Sequence, residues 1–333
     1  MSNVKRGGIT LDDIARETGL SKFSVSRAVS GKNGVSEETR KRVLEACDRL
    51  GYERKASKNS SKKYVLLILP RHDSQDNSFW MKVIVGIENG LTRQGYSLHL
   101  KVVSDKEDEM TSVEAQEAAG ILFVGYKSLP YVDKLAVYNK PMLILTYPPY
   151  NLFPYDTMHF ADREGACALC EYLINNGHKR IGFYGSLERP SMKYRFNGIL
   201  ETVNRMGAEL THVWDMESYL NSFEMIEELK RMKEDNTLPS AIVCSTDKYA
   251  QSLLIMLNSI GLTVPQEVSV TGFNSDFDEA QSIPLTSIGY SRRKYGIQVA
   301  DNLLAKINNP GRAVVSMSVI PKLVIGATTK SIL

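Results

Sequence analysis

From residue 64 onward, short apolar runs alternate with amphipathic stretches, and this alternation constrains the fold more than any other feature of the chain. The runs that predict strands are 64–69, 97–103, 121–124, 142–146, 180–185, 241–245 and 268–272. The stretches that predict helices are 78–94, 110–118, 131–138, 164–176, 193–206, 221–234, 248–260 and 293–307. Such alternation is typical of parallel sheets with helices on both faces. Because it falls into two similar halves, we predict two doubly wound lobes.

The first 63 residues have a different character from the rest of the chain. They hold fifteen Lys and Arg against eight Asp and Glu, a net charge of +7, whereas the whole chain carries only +3. A small basic head on a larger, slightly acidic body indicates a polyanionic partner for the head alone.

Capping signals predict three short helices in this head. Thr10 and Asp13 form a capping box at the start of the first helix, which ends at Gly19. Ser21 precedes the second helix and Ser36 the third. The apolar residues expected to face inward are Val25, Ala28 and Val29 on the second helix, and Val43, Cys47 and Leu50 on the third. Two short helices joined by a glycine turn and braced by a third predict a helix-turn-helix.

The opposite face of the second helix carries Lys22, Phe23 and Arg27. In a helix-turn-helix this face lies in the major groove, where Lys and Arg donate to guanine and an apolar group meets the thymine methyl. Hydroxyl groups suit phosphate contacts, and those expected to make them are Thr10, Ser21, Ser24, Ser26 and Ser30. The alternative is a solvated helix face with one stray phenylalanine. We predict a DNA-reading helix.

The stretch ITLDDIARETGLSKFSVSRAVSGKNGVSEETRKRVLEACDRLGY, residues 9–52, closely resembles the DNA-binding head of LacI/GalR-type bacterial regulators. The resemblance implies that Lys22, Phe23 and Arg27 occupy the base-reading positions. It covers more than forty residues and therefore supports the interpretation of the head as a DNA-binding domain.

The segment that follows departs from the family pattern. The family usually has Pro-Asn after its tyrosine, and then a leucine in a short hinge helix that wedges into the minor groove. Here Arg54 and Lys55 stand at the Pro-Asn positions and Ser61 at the wedge. A wedge needs an apolar side chain to offset the unstacking that it causes. We therefore expect 52–63 to be a flexible basic linker whose lysines, Lys55 among them, contact phosphates.

In doubly wound sheets, ligands bind outside the carboxyl ends of the strands. The segments expected there are 73–80, 146–150, 185–195, 245–248, 273–276 and 290–292. They are rich in aromatic, amide, carboxylate and arginine side chains, which suit a sugar, a nucleobase or a similar polar small molecule.

The resemblance extends over the body through GHKRIGFYG, the S-x-x-x-R-x-x-G stretch 191–198, TGFNS and PLTSIGYSRRKYG. It implies a periplasmic-binding-protein-like core with an effector in the cleft, clamped by Arg195. Asn274 stands where the family often has an aspartate, and Thr246 where an asparagine is frequent. The residues predicted to contact the effector are Phe79, Trp80, Thr146, Arg195, Thr246, Asp247, Asn274 and Tyr290.

Several of these residues also have structural interpretations. Arg195 could form a salt bridge within its own helix, and Phe79 and Trp80 could belong to the core. The Cys167–Cys170 spacing has no second pair at zinc spacing and favours a buried helix face over a metal site.

The chain has no G-x-x-x-x-G-K-[ST], G-x-S-x-G, H-E-x-x-H or G-x-G-x-x-G motif. We therefore expect a protein that is not an enzyme and uses no cofactor or metal. The alternative is a carbohydrate-active or ligand-binding protein with a DNA-tethering head.

Together these features predict an α/β protein with an N-terminal helix-turn-helix head joined to a two-lobed periplasmic-binding-protein-like core of doubly wound parallel sheets. The expected domains are a head at 1–51, a linker at 52–63 and a core at 64–333. The lobes are expected at 64–158 with 291–321, and at 159–290 with 322–333.

The expected function is that of a transcription regulator, most simply a repressor, whose affinity for DNA is controlled by a sugar or sugar derivative. A homodimer on a near-palindromic operator in double-stranded DNA fits a helix-turn-helix head. Four cysteines and the absence of any long apolar run predict a cytoplasmic protein with no membrane partner.

Overall fold

The computed structural model of the chain describes residues 9–29, 34–50, 52, 63–74, 77–104, 112–216, 222–275 and 284–333. Contacts divide the chain into two compact units, Met1–Lys63 and Tyr64–Leu333. No helix within the described ranges is long and apolar enough to cross a bilayer. Ser30 and Lys55, both predicted to contact DNA, lie outside the described residues, as do Arg54 and Ser61 of the linker.

The described residues of the first unit form three helices: Leu11–Thr18 (α1), Lys22–Val29 (α2) and Glu37–Leu50 (α3). The Asp13 carboxylate accepts hydrogen bonds from the backbone N–H and the hydroxyl of Thr10, at 2.9 and 2.7 Å. Gly19 ends α1 with a φ of 66°, the left-handed conformation that glycine adopts without strain. The three helices bury a small shared core made of Ile14, Val25, Ala28, Val43, Ala46 and Cys47.

The described part of the second unit forms two six-stranded sheets. The strands of the first sheet are Tyr64–Pro70 (β1), Ser97–Val103 (β2), Gly120–Val124 (β3), Met142–Leu145 (β4), Asp156–Phe160 (β5) and Ser316–Val319 (β11). Those of the second are Arg180–Gly185 (β6), Glu209–Asp215 (β7), Ala241–Cys244 (β8), Ser269–Ser275 (β9), Thr286–Gly289 (β10) and Lys322–Val324 (β12). Their orders are β2-β1-β3-β4-β5-β11 and β7-β6-β8-β9-β10-β12. All neighbouring strands are parallel except β10 and β12, so the predicted fold class is confirmed.

Nine helices of the described chain belong to this unit: Arg71–Ser74 (α4), Asn77–Arg93 (α5), Ser112–Glu117 (α6), Leu129–Ala136 (α7), Asp162–Asn175 (α8), Pro190–Arg205 (α9), Ser222–Glu234 (α10), Asp247–Ser259 (α11) and Arg292–Asn308 (α12). The helices α5 and α12 pack unusually closely. A Cβ on Gly86 would overlap the carbonyl oxygen of Arg293, and one on Gly296 would overlap that of Val83. Glycine is therefore required on both sides of this contact.

Five strands were not predicted from the sequence: β5, β7, β10, β11 and β12. The edge strand β7 is largely half-exposed and begins and ends with charged residues, so it lacks an apolar run. The strand β5 carries Asp156, whose carboxylate accepts a hydrogen bond from the backbone N–H of Val315 at 2.9 Å. Strands are predicted from apolar runs, and polar residues that make tertiary contacts interrupt those runs here. These strands could therefore not be recognised from hydrophobicity.

The described chain crosses between the two sheets three times, after β5, after β10 and after β11. Tyr295 of α12 donates a hydrogen bond from its hydroxyl to the carbonyl oxygen of Met158 in β5, at 2.8 Å. This hydrogen bond links the segment after β10 to the segment before the first crossing. Near these crossings, residues at the carboxyl ends of strands from both sheets are in contact.

Candidate functional sites

The exposed face of α2 presents an aromatic side chain held by a cation. Phe23 is 67% exposed, whereas Val25 and Ala28 on the other face are buried. The guanidinium carbon of Arg27 lies 5.1 Å from the centre of the Phe23 ring, within the range of a cation–π contact. An exposed phenylalanine beside a cation forms a surface that can meet both an apolar and an anionic group.

Lys22, at the start of α2, is paired with a residue that the sequence analysis did not single out. Its ammonium group lies 2.6 Å from a carboxylate oxygen of Asp12 on α1. Both side chains are more than half exposed. Exposed pairs of this kind contribute only about 0–1 kcal/mol, so an incoming phosphate or base can displace the carboxylate.

The hydroxyl groups near α2 serve local structure as well. The Ser21 hydroxyl accepts a hydrogen bond from the backbone N–H of Ser24 at 3.1 Å, and the two hydroxyls lie 2.9 Å apart. Ser26 is exposed on the same helix. Ser21 thus caps α2 as predicted, and Thr10 takes part in the cap of α1.

Two arginines of α3 brace the motif. Arg40 donates to the carbonyl oxygen of Ala28 at 3.2 Å, and Arg42 donates to that of Thr18 at 3.0 Å. These carbonyls lie at the carboxyl ends of α2 and α1, where cations are favourable. Some of the basic residues of the unit therefore stabilise its own helices, in addition to any contact with a partner.

In the second unit, Arg195 of α9 is the centre of a buried polar network. It is 4% exposed. Its Nε donates to Asp162 Oδ1 at 2.8 Å, its Nη1 to the Ser245 carbonyl oxygen at 2.6 Å, and its Nη2 to Asn274 Oδ1 at 2.9 Å. One face of the guanidinium lies 3.9 Å from the centre of the Phe273 ring. The interpretation of a salt bridge within its own helix is wrong, because the carboxylate lies on α8.

Asp162, the partner of Arg195, was not predicted as a site residue. It is 2% exposed and begins α8, directly after the strand β5 that the sequence analysis missed. The hydroxyl of Tyr147 lies 3.2 Å from its Oδ2. Burial disfavours the charged form of Arg195, but the Asp162 carboxylate outweighs this and raises the arginine pKa above its ordinary value.

Asn274 and Tyr290 complete the network. The Tyr290 hydroxyl donates to Asn274 Oδ1 at 2.6 Å, and Arg292 donates to the Asn274 carbonyl oxygen at 2.5 Å. Asn274 has a φ of 85°, in the left-handed region. Tyr290 is buried, and burial raises its pKa, so the phenol keeps its proton and acts as a donor.

Aromatic rings from both sheets surround these polar groups. Tyr290 stacks on Phe160 with ring centres 3.7 Å apart. Phe79 contacts Trp80 and Phe160 edge-on at 5.0 and 6.1 Å, and the Arg292 guanidinium lies 4.9 Å from the Phe79 ring centre. Phe79 and Trp80 are partly buried and pack on the main core, in line with the alternative interpretation of these two residues as core residues.

The three other residues predicted at the effector site have different surroundings. The Thr246 hydroxyl caps α11 by accepting from the Tyr249 backbone N–H at 3.3 Å. Asp247 Oδ1 accepts from the Ser287 hydroxyl at 2.6 Å. Thr146 is half-buried directly after β4. Thr246 and Asp247 thus hold the local structure of the second sheet.

A second aromatic group that sequence analysis did not assign lies close to Asp162. The Tyr147 ring stacks on Tyr194 with centres 3.9 Å apart, and its centre lies 4.0 Å from that of His159. Tyr147 comes from the loop after β4 and Tyr194 from α9, so this stack joins the two lobes. The position of Tyr147 after a strand was the signal that could have identified it.

A polar clasp also joins the lobes, and it consists of Glu188 and Arg189 with Asp73, Tyr126 and Lys127. Arg189 Nη1 lies 3.5 Å from Asp73 Oδ1. The Glu188 carboxylate lies 3.2 Å from the Tyr126 hydroxyl and 3.7 Å from Lys127 Nζ. Burial, followed by the charge of Glu188, raises the pKa of Tyr126 to about 12. These residues follow β1, β3 and β6, so the clasp lies at the carboxyl ends of the strands.

Within the described ranges, no group of three or more His, Cys, Asp or Glu side chains is arranged to hold a metal ion. All four cysteines are free thiols, and burial raises the pKa of Cys170 to about 12. Cys170 lies on the buried face of α8, as predicted from the Cys167–Cys170 spacing.

Comparisons with known proteins agree with this architecture. Residues 10–55 match the family described as "Bacterial regulatory proteins, lacI family", and residues 170–329 match the family described as "Periplasmic binding protein-like domain". The HTH-type transcriptional repressor PurR of Pasteurella multocida (strain Pm70) is 28% identical to the chain, over 97% of the chain and 99% of that protein.

Solved structures share the fold. One is the Lac repressor dimer bound to operator and the anti-inducer ONPF, with a TM-score of 0.65, 21% identity, and coverage of 97% of this chain and 100% of that one. Another is the complex of the transcriptional regulator CelR with cellobiose, with a TM-score of 0.64, 18% identity, and coverage of 96% and 99%.

Proposed function

The chain belongs to the LacI/GalR family of bacterial transcription regulators, and we propose that it represses transcription from a near-palindromic operator under the control of a small-molecule effector. Proteins of this kind are DNA-binding repressors rather than enzymes. The observation that carries the proposal is the exposed Phe23–Arg27 pair on α2, within the residues that match the family.

The proposed reading of DNA follows from the two faces of α2. Val25 and Ala28 fix the helix on the core, so Lys22, Phe23 and Arg27 are left to meet base edges in the major groove. Arg27 suits guanine O6 and N7, and Phe23 suits a thymine methyl. The hydroxyls of Thr10, Ser21, Ser24, Ser26 and Ser30, with Lys55 of the linker, are proposed to contact phosphates and set the register.

A homodimer supplies the second reading helix. Phe223 on α10 and Ile255 on α11 are 68% and 72% exposed, so large apolar side chains protrude from two helices of the second lobe. Exposed apolar surface of this kind suits association with a second copy. Two-fold symmetry of the protein then requires a near-palindromic site.

The effector is proposed to bind among the residues around Arg195, between the aromatic groups of the two lobes. Aromatic faces beside hydrogen-bonding groups suit a sugar or sugar derivative, and a nucleobase is the second candidate. The CelR relative in complex with cellobiose supports the sugar class by analogy of fold. Phe79, Trp80, Asn274 and Tyr290 are proposed to line the site with Arg195, and Thr146, Thr246 and Asp247 to lie at its edge.

Control of DNA affinity then follows from linkage. An effector that binds one arrangement of the lobes better than another shifts the population of the form that binds the operator. A coupling free energy of about 1–3 kcal/mol changes operator affinity by about 5–150-fold.

The test is selection of bound sequences from a random duplex pool by the full-length protein at one stated salt concentration. We expect a two-fold symmetric site, and an affinity for it that changes when members of a sugar and nucleobase panel are added. Recovery of sequence-blind, salt-sensitive binding alone, with and without the panel, would contradict the proposal.

A further inference from the structure

Four of the five N–H donors of Arg195 are already engaged within the protein. Its guanidinium donates to Asp162, Ser245, Asn274 and, at 3.5 Å, to the Tyr290 hydroxyl. The guanidinium carbon also lies over the Phe273 ring, 3.9 Å from its centre. An arginine that binds an anionic ligand needs free N–H donors and a positive charge that no other group compensates. A bidentate contact with a carboxylate or phosphate uses two of the donors and the charge. Arg195 has at most one N–H donor left, and the Asp162 carboxylate already compensates its charge.

The charges around the network are balanced. Four charged groups act electrostatically on the buried Tyr290 phenol. They are the guanidinium groups of Arg195 and Arg292 and the carboxylates of Asp162 and Asp247. The formal charge of the four groups is zero. An anionic ligand would leave a net negative charge in a region that water reaches poorly, with the Asp162 carboxylate directly beside the arginine.

Two buried atoms beside the Arg195–Asp162 pair lack a hydrogen-bond partner within the described protein: Ser245 Oγ and His159 Nδ1. Ser245 is 1% exposed, and its carbonyl oxygen accepts from Arg195. The His159 ring contacts Tyr147, whose hydroxyl reaches Asp162. Burial lowers the pKa of His159, so its imidazole is neutral at neutral pH. Both atoms therefore offer hydrogen bonds without a charge.

We infer that the effector of this protein is an uncharged compound rich in hydroxyl or amide groups, and that Asp162 excludes phosphorylated and carboxylated compounds from the site. The inference rests on the proposed function, because it concerns the ligand of the same site. Asp162 acts as an internal counter-ion that occupies the arginine, so the ligand contributes hydrogen bonds and ring contacts rather than charge.

The first experiment uses matched pairs of compounds on the full-length wild-type protein. Binding of glucose is compared with that of glucose 6-phosphate, cellobiose with cellobionate, and adenosine with AMP, by calorimetry at one ionic strength. Where a pair binds, we expect the charged member to bind at least about a hundredfold more weakly, because like-charge contacts cost several kcal/mol. A charged member that binds as tightly as its neutral partner, and loses this affinity in Arg195→Gln, would overturn the inference.

The second experiment does not depend on finding the natural effector. Inorganic sulfate is titrated into wild type, Asp162→Asn and the control Glu201→Gln, which removes an exposed carboxylate paired with Arg163. Thermal unfolding is followed at constant ionic strength. We expect sulfate to stabilise Asp162→Asn more than wild type, and the control to behave as wild type. An equal response in all three would show that Asp162 does not exclude anions.

If Asp162→Asn does not fold, wild type and Arg195→Gln are compared with sulfate instead. Equal responses are expected, and stabilisation that depends on Arg195 would contradict the inference. A different result would contradict the proposed function. That result is a protein with no operator preference or no response to any effector, and it does not depend on the charge of the compounds that bind.

Discussion

The guanidinium of Arg27 lies 5.1 Å from the centre of the Phe23 ring, on the face of α2 that points away from the core. This pair joins a cation to an apolar surface at two positions four residues apart. Each member supports the other, since the ring holds the guanidinium over its face and the cation limits the motion of an exposed aromatic side chain.

Arg27→Ala is expected to relax the preference for one base pair of the operator and to weaken binding by about 1–3 kcal/mol. The reason is the loss of donors to a base edge, while phosphate contacts remain. Operator and single-base variants are compared by titration at fixed salt. Arg16→Ala is the control, because Arg16 is exposed on α1 and pairs only with Asp13 in its own helix among the contacts described. A uniform loss of affinity for all duplexes would exclude base reading by Arg27.

Arg195→Gln is expected to lower the free energy of unfolding by about 3–5 kcal/mol, because it leaves the buried Asp162 carboxylate without its counter-ion. The variant Arg195→Gln/Asp162→Asn removes both charges and is expected to recover part of that loss. Chemical denaturation of the four proteins in this cycle gives the coupling between the two residues. Additive effects would mean that the pair is not energetically linked.

The same arginine variant is expected to lose the effector response. Provided that the protein is folded at the assay temperature, its affinity for the operator without effector should stay near that of wild type. An unchanged response to the effector would remove Arg195 from the site.

Gly296→Ala is expected to destabilise the core unit by about 1–3 kcal/mol or more, because a Cβ at this position overlaps the backbone of α5 at Val83. Gly311→Ala is the matched control, since its nearest neighbour would be 3.8 Å from the new Cβ. Thermal unfolding of the two variants is compared with that of wild type. Equal melting temperatures for both variants would show that α5 and α12 can move apart without cost.

Stability is expected to fall as the pH drops below about 6.5, the ordinary histidine pKa. Burial lowers the pKa of His159 and of His178. Protons therefore bind more tightly to the unfolded chain, so the stabilisation is complete above the ordinary value and decreases on acidification. The His178 ring nitrogens lie 3.0 Å from the Ser240 hydroxyl and from the Lys330 carbonyl oxygen, and it is the burial of the ring that lowers its pKa.

Denaturation of wild type and His178→Gln between pH 5.5 and 7.5 measures this effect, and the variant should show a shallower dependence on pH. The exposed His99 provides the control, as His99→Gln. A slope in His178→Gln equal to that of wild type would assign the dependence to other groups.

The three helices of the head could be predicted from the sequence because their signals are local. Thr10, Asp13, Gly19 and Ser21 cap the helices within a few residues of their own position. The effector site could be predicted only in part. Arg195 and Asp162 are 33 residues apart in sequence. Asp162 also follows β5, a strand that was not predicted because it contains polar residues. No local sequence pattern could therefore have indicated that Arg195 and Asp162 are in contact.

The aromatic groups illustrate the same limit. Tyr147 and Tyr194 each occur in a segment expected near the strand ends, but their stacking depends on how two separate sheets face each other. Hydrophobic periodicity describes one element at a time and carries no information on such contacts.

The clasp formed by Glu188 and Arg189 with Asp73, Tyr126 and Lys127 has a kinetic consequence. If the proposed effector enters between the two sheets only after these contacts and the Tyr147–Tyr194 stack separate, that separation limits its entry. Its observed association rate should therefore rise with concentration only up to a plateau, which equals the rate at which the lobes part. The same barrier delays escape, so a bound ligand would stay longer than its equilibrium affinity alone suggests.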